Sequence, residues 1–278
     1  MAVKEYFLPQ SVDEAVSLLA DHGPELLVMA GGTIAMPLIN EGVSLPEAVM
    51  GLRQAGLDKI KKTNGSLSLG AGTTLTHIID QDHSPLLTEA AHNVGGWAIR
   101  NMGTVGGNLF APPPAGDFAV ALLALDAMVK IASKNGIRHL PLAEFYTGFM
   151  TNALELGELV TGFEIPVPKG ETAYLKFGRK HANTPAVVTV AARVVMQADK
   201  ISDARIALNA VASHPIRAYQ AEKALVGNSL DEAAIAAAAS AAAEECEPFT
   251  DAIASEWYRR KMVPVYVRRT LEKISGGG

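Results

Sequence analysis

Cysteine is almost absent from this sequence. Cys246 is the only cysteine among 278 residues. A disulfide within the chain is therefore excluded. A thiolate-bound iron–sulfur cluster and a cysteine-rich zinc site are excluded as well, because each of them needs several thiolate ligands.

Basic clusters and long apolar runs are also missing. The chain carries 24 basic and 29 acidic residues, a formal net charge of −5, and no block of Lys and Arg. We therefore do not expect nucleic acid or an anionic membrane as a partner. No segment approaches the roughly 18 consecutive apolar residues of a membrane span, and the first residues lack the apolar core of a signal peptide. The sequence predicts a soluble, cytoplasmic protein without membrane insertion.

Familiar catalytic and nucleotide-binding motifs are absent too. The sequence has no HExxH, no GxxxxGK[ST], no nucleophile elbow, and no GxGxxG that opens a helix after the first strand. A P-loop and a Rossmann fold are therefore disfavoured. The seven histidines are scattered without the spacing of metal ligands. We expect no metal site and no catalytic side chain, so the chemistry of an enzyme of this kind would come from a cofactor.

The composition indicates a well-buried globular chain. Hydrophobic residues make up 49% and charged residues 19% of the sequence, and the length allows two domains. A change in composition at residues 166–172 (PVPKGET) predicts a domain boundary. Before it, the patterns predict strands at 25–30, 47–51, 66–69, 127–132 and 159–165, and helices at 12–22, 76–81, 84–92, 118–125 and 142–149. After it, they predict an antiparallel sheet from strands at 173–178, 187–197 and 201–211, and then helices at 217–225, 231–245 and 255–273.

Glycine is concentrated in a segment at residues 95–117, which reads GGWAIRNMGTVGGNLFAPPPAGD. Glycine allows the main chain to lie directly against a ligand. Thr104, Asn108 and Asp117 add polar groups among the glycines. One interpretation is an ordinary surface loop rich in glycine and proline. We favour the other, a loop without regular structure that holds the phosphates and sugar of a large cofactor.

Another glycine loop, which we call the first loop because it comes earlier in the chain than the second loop at residues 95–117, follows the predicted strand at 25–30. It consists of Gly31, Gly32 and Thr33 and leads into an apolar segment. Backbone amides at such a position are good partners for an anion. A strand, a turn and a helix without any ligand would have the same sequence pattern, so this loop is ambiguous when taken alone.

The glycine segments together resemble a known family. AGGT at 30–33, GAGTT at 70–74, IRNMGTVGGN at 99–108 and PAGD at 114–117 resemble the FAD-binding medium subunit of the molybdenum hydroxylases, the xanthine dehydrogenase and aerobic carbon monoxide dehydrogenase group. The resemblance covers nearly the whole chain. It implies an α+β fold in which a two-lobed FAD-binding domain of the vanillyl-alcohol oxidase type occupies residues 1–168 and divides near 55. An antiparallel sheet with a helical bundle, of the carbon monoxide dehydrogenase flavoprotein type, would occupy 173–274.

The resemblance also implies roles for single residues. Val28–Ala35 would wrap the FAD diphosphate with backbone amides, and Thr33 would add a hydroxyl. Thr104, Gly107 and Asn108 would form the second wall, and Asp117 would accept a hydrogen bond from a ribose or ribityl hydroxyl. The implied FAD contacts are Val28, Met29, Ala30, Gly31, Gly32, Thr33, Ile34, Ala35, Val94, Gly95, Gly103, Thr104, Gly106, Gly107, Asn108, Asp117, Val160 and Lys176.

Four of these contacts lie at the two ends of the cofactor. Val94 and Gly95 would touch the adenine side. Val160 would make an apolar contact to the flavin region, which Lys176 would approach. The resemblance thus spreads the implied site over both lobes and the first strand after the domain boundary.

The function implied by the resemblance is electron relay. A large partner subunit would hold the molybdenum cofactor and hydroxylate the substrate, and a small partner would carry two [2Fe-2S] clusters. The FAD of this chain would take the electrons and pass them to NAD, oxygen or a quinone, in a dimer of heterotrimers. Some relatives add a [4Fe-4S] cluster to this subunit, which the single cysteine excludes here.

Two other functions remain open from the residues alone. A stand-alone flavoenzyme of the same fold class, such as a UDP-N-acetylenolpyruvoylglucosamine reductase or an alcohol oxidase, would need a substrate pocket with a proton donor in this chain. A nucleotide-binding scaffold would need only the glycine loops and would show no redox turnover.

Overall fold

The N-terminal lobe is built on a small parallel sheet. The computed structural model describes residues 3–63, 65–167, 169–180 and 183–276. Strands β1 (Glu5–Phe7), β2 (Leu26–Met29) and β3 (Ala48–Gly51) pair in the order β1-β3-β2. Helix α1 (Val12–His22) connects β1 to β2 and buries Ala15, Val16 and Leu19. The short helix α2 (Ala35–Asn40) follows β2 and has no buried residue.

The second lobe contains an antiparallel sheet of five strands. These are β4 (Ile60–Lys62), β5 (Ser66–Gly70), β6 (Met128–Ser133), β7 (Gly136–Pro141) and β10 (Leu159–Pro166), in the order β4-β5-β10-β6-β7. Between β5 and β6 lie helices α3 (Leu75–Gln81), α4 (Pro85–His92), α5 (Trp97–Met102), α6 (Val105–Leu109) and α7 (Asp117–Ala124). All eight residues of α7 are buried, so this helix is the centre of the core.

Two local predictions in this lobe are wrong. Residues 95–117 were expected to lack regular structure, but α5 and α6 lie inside them, with Thr104 as the N-cap of α6. The helix expected at 142–149 is a 3-10 turn over Leu142–Glu144, followed by a hairpin of β8 (Tyr146–Gly148) and β9 (Thr151–Asn152). Its aromatic residues do not share one face, because Phe145 is fully buried whereas Phe149 is 65% exposed.

The C-terminal part is a sheet covered by helices. Strands β11 (Glu171–Gly178), β12 (Ala186–Gln197), β13 (Lys200–Asn209) and β14 (Ile216–Arg217) form an antiparallel sheet in sequence order. Helices α8 (Tyr219–Leu225), α9 (Glu232–Glu244) and α10 (Glu256–Ile274) pack on this sheet and share one core with it. The predicted antiparallel strands are therefore present. The exact domain limits stay a prediction, and residues 1 and 168, like the last two glycines of the tail, lie outside the described residues.

A cluster of charges joins α7 to the C-terminal sheet. Asp126, just after α7, has a left-handed φ of 53°. Its carboxylate accepts hydrogen bonds from Arg193 at 2.9 Å, from Arg205 at 2.8 Å and from Arg217 at 2.8 Å. Arg217 also forms a two-pronged pair with Glu222. One carboxylate thus ties three arginines of the sheet to the core helix.

We expect Asp126→Ala to destabilise the chain. The substitution leaves three guanidinium groups close together without their shared acceptor, which should lower the free energy of unfolding by about 1–3 kcal/mol. The side chain of Asp126 is 35% exposed, so the loss is smaller than for a fully buried pair. Urea denaturation of both proteins measures it. Asp199→Ala, in the exposed turn between β12 and β13, is the control, and an equal loss in both variants would contradict the prediction.

Candidate cofactor-binding site

One cavity of about 610 Å³ is bounded by both lobes and by the C-terminal sheet. The first lobe contributes β2 and the loop after it, and the second lobe contributes residues between Ala71 and Val160. The C-terminal part contributes Lys176 of β11 and residues 183–185, just before β12. All eighteen residues predicted as FAD contacts lie on its wall. The structure therefore brings them together, while the role of each in binding stays a prediction.

The first glycine loop presents a row of unbonded amides. The backbone N–H groups of residues 31–35 have no acceptor among the described residues. Gly32 takes a φ of 72°, which glycine adopts without strain. Successive amides in such a turn form a concave site for an anion. The wall of the cavity therefore carries several donors that a phosphate would satisfy.

The second glycine loop packs directly against the first. A methyl group at Gly31 would overlap the carbonyl oxygen of Met102, at the end of α5. A methyl group at Gly107 would lie 3.9 Å from the Cβ of Ala30 and 3.0 Å from the hydroxyl of Thr104. The missing side chains thus allow the two loops to meet and to form one continuous wall.

In the second loop, the groups free to bind a ligand are side chains, because the amides of its glycine pair already have acceptors. The N–H of Gly106 donates to the carbonyl of Ala71 at 2.9 Å, and the N–H of Gly107 donates to the hydroxyl of Thr104 at 3.0 Å. Asn108 accepts from the N–H of Phe118 at 3.0 Å, which leaves its amide nitrogen as a donor. The hydroxyl hydrogen of Thr104 and the amide of Asn108 are therefore the groups that this wall has left for a ligand.

A buried ion pair lies between the second lobe and the C-terminal sheet. The Lys176 ammonium is 2.7 Å from one carboxylate oxygen of Asp117, and both side chains are less than a tenth exposed. The other oxygen accepts from Thr189 at 2.6 Å and from Asn209 at 3.2 Å. Lys176 also donates to the carbonyl of Asn93 at 2.9 Å.

The Asp117–Lys176 pair is well hydrogen-bonded but does not use all of its donor and acceptor positions. An ammonium group has three donors and a carboxylate about four acceptor positions. Lys176 uses two of its donors and Asp117 three of its acceptor positions within the described residues. The pair therefore neutralises its own charge and keeps one hydrogen-bonding position on each partner for a ligand.

Glu158 is a wall residue that no sequence pattern indicated. Both of its carboxylate oxygens accept from Arg138 at 2.6 Å, and Arg138 also donates to the carbonyl of Ala153 at 2.7 Å. These hydrogen bonds lower the pKa of Glu158 more than burial raises it, and they raise the pKa of Arg138. The pair holds the segment before β10 against the cavity. The two residues are 20 positions apart and meet only through the pairing of β6 with β7 and β10.

The remaining wall is mostly apolar. Such a surface suits flat ring systems at the two ends of a ligand. Its apolar side chains outside the predicted set include Leu27, Leu38, Leu52, Leu75, Ile99, Phe110, Leu154 and Leu159. Unbonded amides in the middle and apolar surfaces beside them fit a cofactor that has a diphosphate and two rings.

The described residues lack both a metal-binding cluster and a membrane-spanning helix. They contain no group of three or more His, Cys, Asp or Glu side chains placed to hold a metal ion. None of their helices combines the length and the apolar character needed to cross a membrane.

The chain matches two family models and several known proteins. Residues 2–168 match the FAD binding domain in molybdopterin dehydrogenase, and residues 172–274 match the CO dehydrogenase flavoprotein C-terminal domain. The 6-hydroxypseudooxynicotine dehydrogenase complex subunit alpha of Paenarthrobacter nicotinovorans is 34% identical over 97% of this chain and 93% of that protein. The carbon monoxide dehydrogenase medium chain of Afipia carboxidovorans is 33% identical over 97% of this chain and 96% of that protein.

A solved structure agrees with these relatives. A chain of reconstituted CO dehydrogenase from Oligotropha carboxidovorans superimposes with a TM-score of 0.94 and 32% identity, and the match covers 100% of this chain and 99% of that one. The similarities confirm the predicted family resemblance and the predicted α+β fold, and they assign an FAD-binding domain to this chain.

We expect Gly31→Ala to abolish tight FAD binding. The added methyl group would overlap the Met102 carbonyl and push the first loop away from the second. A loss of about 1.4 kcal/mol already weakens binding tenfold, so we expect a decrease of about tenfold or more. The ratio of flavin to protein absorbance after gel filtration measures it.

Gly96→Ala is the matched control for this variant. A methyl group at Gly96 would meet no atom within 4 Å, although the residue lies at the start of α5 in the same segment. FAD content should therefore stay at the wild-type level in Gly96→Ala. Equal FAD content in the Gly31 and Gly96 variants would show that the contact between the loops is not needed.

The Arg138–Glu158 pair should make stability depend on pH. The folded chain holds the pKa of Glu158 below its usual value of 4.5. The stabilisation is therefore fully present above that value and is lost as the pH falls through the folded pKa. We expect Glu158→Gln to be less stable than wild type in urea at pH 7, with the difference shrinking at pH values below 4.5. Glu247→Gln, at an exposed position, is the control, and a difference independent of pH would refute this explanation.

Proposed function

This chain belongs to the family of FAD-binding medium subunits of the molybdenum hydroxylases, and on that premise we propose that it is the electron-transfer subunit of such a complex. A small partner with [2Fe-2S] clusters gives electrons to it, and a large partner holds the molybdenum cofactor and oxidises the substrate. An external acceptor such as NAD, oxygen or a quinone takes the electrons from this chain. The proposed assembly is a cytoplasmic dimer of heterotrimers.

The main support for this proposal is the pairing of the ionisable groups in the cavity. Among the described residues, its wall has three ionisable side chains, Asp117, Glu158 and Lys176, and each of them is in an ion pair. A carboxylate or ammonium group fixed in this way is a poor general acid or base, because proton transfer would leave its partner uncompensated. The cavity is therefore equipped to bind a cofactor and not to act on a substrate with its own side chains.

The residues of the cavity hold and orient FAD in this proposal. The amides of residues 31–35 bind the diphosphate, and Thr33 and Thr104 add hydroxyl groups. Asp117 takes a ribose or ribityl hydroxyl at its remaining acceptor position, and Lys176 turns its remaining donor towards the ring system. Val94, Gly95 and Val160 supply apolar contact at the ends. FAD, once bound, supplies redox chemistry that accommodates both single electrons and pairs.

The arrangement favours a relay subunit over a stand-alone flavoenzyme. A stand-alone oxidoreductase would need an acid or base next to the flavin, and each ionisable side chain of the described wall is held in an ion pair. A scaffold without redox turnover would leave the family relationship unexplained. The names of the relatives also support the relay, since they describe one subunit of a dehydrogenase complex and a medium chain.

The proposal predicts a clear division of activities. The purified chain should carry FAD in roughly stoichiometric amount and should not oxidise an organic substrate alone. Co-expression with its large and small partners should restore substrate oxidation, with molybdenum and iron in the purified complex. Metal analysis and an assay with an artificial electron acceptor measure both. Substrate turnover by the isolated chain would overturn the relay in favour of a stand-alone enzyme.

A further inference from the structure

The face of the C-terminal sheet that packs on α7 carries a row of polar side chains. Lys176 on β11, Thr189 on β12 and Asn209 on β13 are direct neighbours across the strands, because Lys176 pairs with Thr189 and Thr189 pairs with Asn209. Residues that face each other across an antiparallel pair point to the same side of the sheet. All three side chains contact the carboxylate of Asp117. We call these three residues the Thr189 row.

Two members of the row lie wholly inside the protein. Thr189 and Asn209 are 0% exposed, and neither lines the cofactor cavity. Polar groups are costly at such positions unless they are hydrogen-bonded, and apolar groups of the same shape are often no less stable. Ala191 and Ala207, two positions away on the same face, are apolar and fully buried. The core of the sheet therefore does not by itself require polar side chains here.

Asn209 indicates that the row serves position more than stability. Its amide nitrogen lies 3.2 Å from Oδ1 of Asp117, 3.0 Å from the carbonyl oxygen of Ala115 and 3.3 Å from that of Pro114. Its side-chain oxygen is buried and has no hydrogen-bond partner among the described residues. A buried acceptor without a partner destabilises the fold. The chain thus tolerates an unfavourable oxygen together with a donor that is aimed at the segment leading into Asp117.

The row determines which oxygen of Asp117 is left for a ligand. Thr189 donates to Oδ1 at 2.6 Å, and the amide of Asn209 is the second donor to the same atom. Among the described residues, Oδ2 is contacted only by Lys176, at 2.7 Å. Each oxygen of a carboxylate has about two acceptor positions. The free acceptor position of Asp117 is therefore on Oδ2.

We propose that Thr189 and Asn209 are positioning residues for FAD, which saturate Oδ1 of Asp117 and hold Oδ2 ready to accept a hydrogen bond from a sugar hydroxyl of the cofactor. This inference rests on the proposed function, from which it takes FAD as the ligand and Asp117 as its contact. It adds two residues that do not touch the cofactor but orient the group that does. A carboxylate that is already oriented loses less conformational freedom on binding, so the row increases the affinity for FAD.

Two variants of Thr189 in the full-length chain separate hydrogen bonding from packing. Thr189→Val keeps the shape of the side chain and removes the hydroxyl, whereas Thr189→Ser keeps the hydroxyl and removes the methyl group. We expect Thr189→Val to weaken FAD binding about tenfold and Thr189→Ser to stay within about twofold of wild type, as for an outer hydrogen bond that orients a ligating group. Fluorescence titration of the cofactor-free chains gives the dissociation constants, and urea denaturation gives the free energies of unfolding.

Asn209→Leu tests the other positioning residue. Leucine has a similar shape but cannot donate to Asp117, so FAD binding should weaken by a similar factor. Thr172→Val, on β11, is the matched control, because Thr172 neither lines the cavity nor bonds to Asp117. Its affinity for FAD should equal that of the wild-type chain.

A role in packing alone predicts a different order of the variants. In that case Thr189→Ser would lose more stability and more affinity for FAD than Thr189→Val, and this result would overturn the proposal. Wild-type affinity in Thr189→Val or in Asn209→Leu would overturn it as well, and so would an equal loss of affinity in Thr172→Val and Thr189→Val. Failure of the wild-type chain to bind FAD would instead contradict the proposed function.

Discussion

The contact between the two glycine loops is the constraint on which the cofactor cavity depends. Gly31 lies against the carbonyl of Met102 so closely that a methyl group does not fit there. In the loop that makes this contact, the N–H groups of residues 31–35 are without acceptors among the described residues. The same contact joins the parallel sheet of the first lobe to the helices of the second. The seam between the lobes and the row of unbonded donors therefore lie in the same short loop.

The Asp117–Lys176 pair fixes the third wall. Asp117 begins the fully buried helix α7, and Lys176 lies on β11, so their ion pair joins the core of the second lobe to the C-terminal sheet. Asp126 and its three arginines repeat this connection just beyond the other end of α7. Because its ionisable side chains are paired, the cavity offers no free acid or base that would react with a bound cofactor. This property suits a subunit that transfers electrons.

Sequence patterns predicted the parts of the site that depend on local conformation. Glycine pairs indicate close approach of the main chain, and Asp117 was noticed as a polar group among them, whereas Lys176 came only from the family resemblance. The pairing of Glu158 with Arg138 was not predictable, because residues 20 positions apart meet only through strand order. The prediction of a helix at 142–149 was wrong, because the spacing of its aromatic residues does not show which of their side chains are buried. The fold also determines that the amide of Gly106 donates to the carbonyl of Ala71, outside the second loop, while that of Gly107 donates to Thr104 within it.

The most direct test of the central claim compares the binding of FAD and riboflavin to the cofactor-free chain. Riboflavin has the same ring system and ribityl chain but lacks the diphosphate and the adenosine, so it cannot use the amides of residues 31–35. Since each hydrogen bond to a charged group contributes about 1.5–3 kcal/mol, we expect riboflavin to bind about 100-fold more weakly than FAD or worse. Fluorescence titration of both ligands gives the two dissociation constants. Equal affinities would contradict the claim that the unbonded amides of the first loop hold the cofactor by its diphosphate.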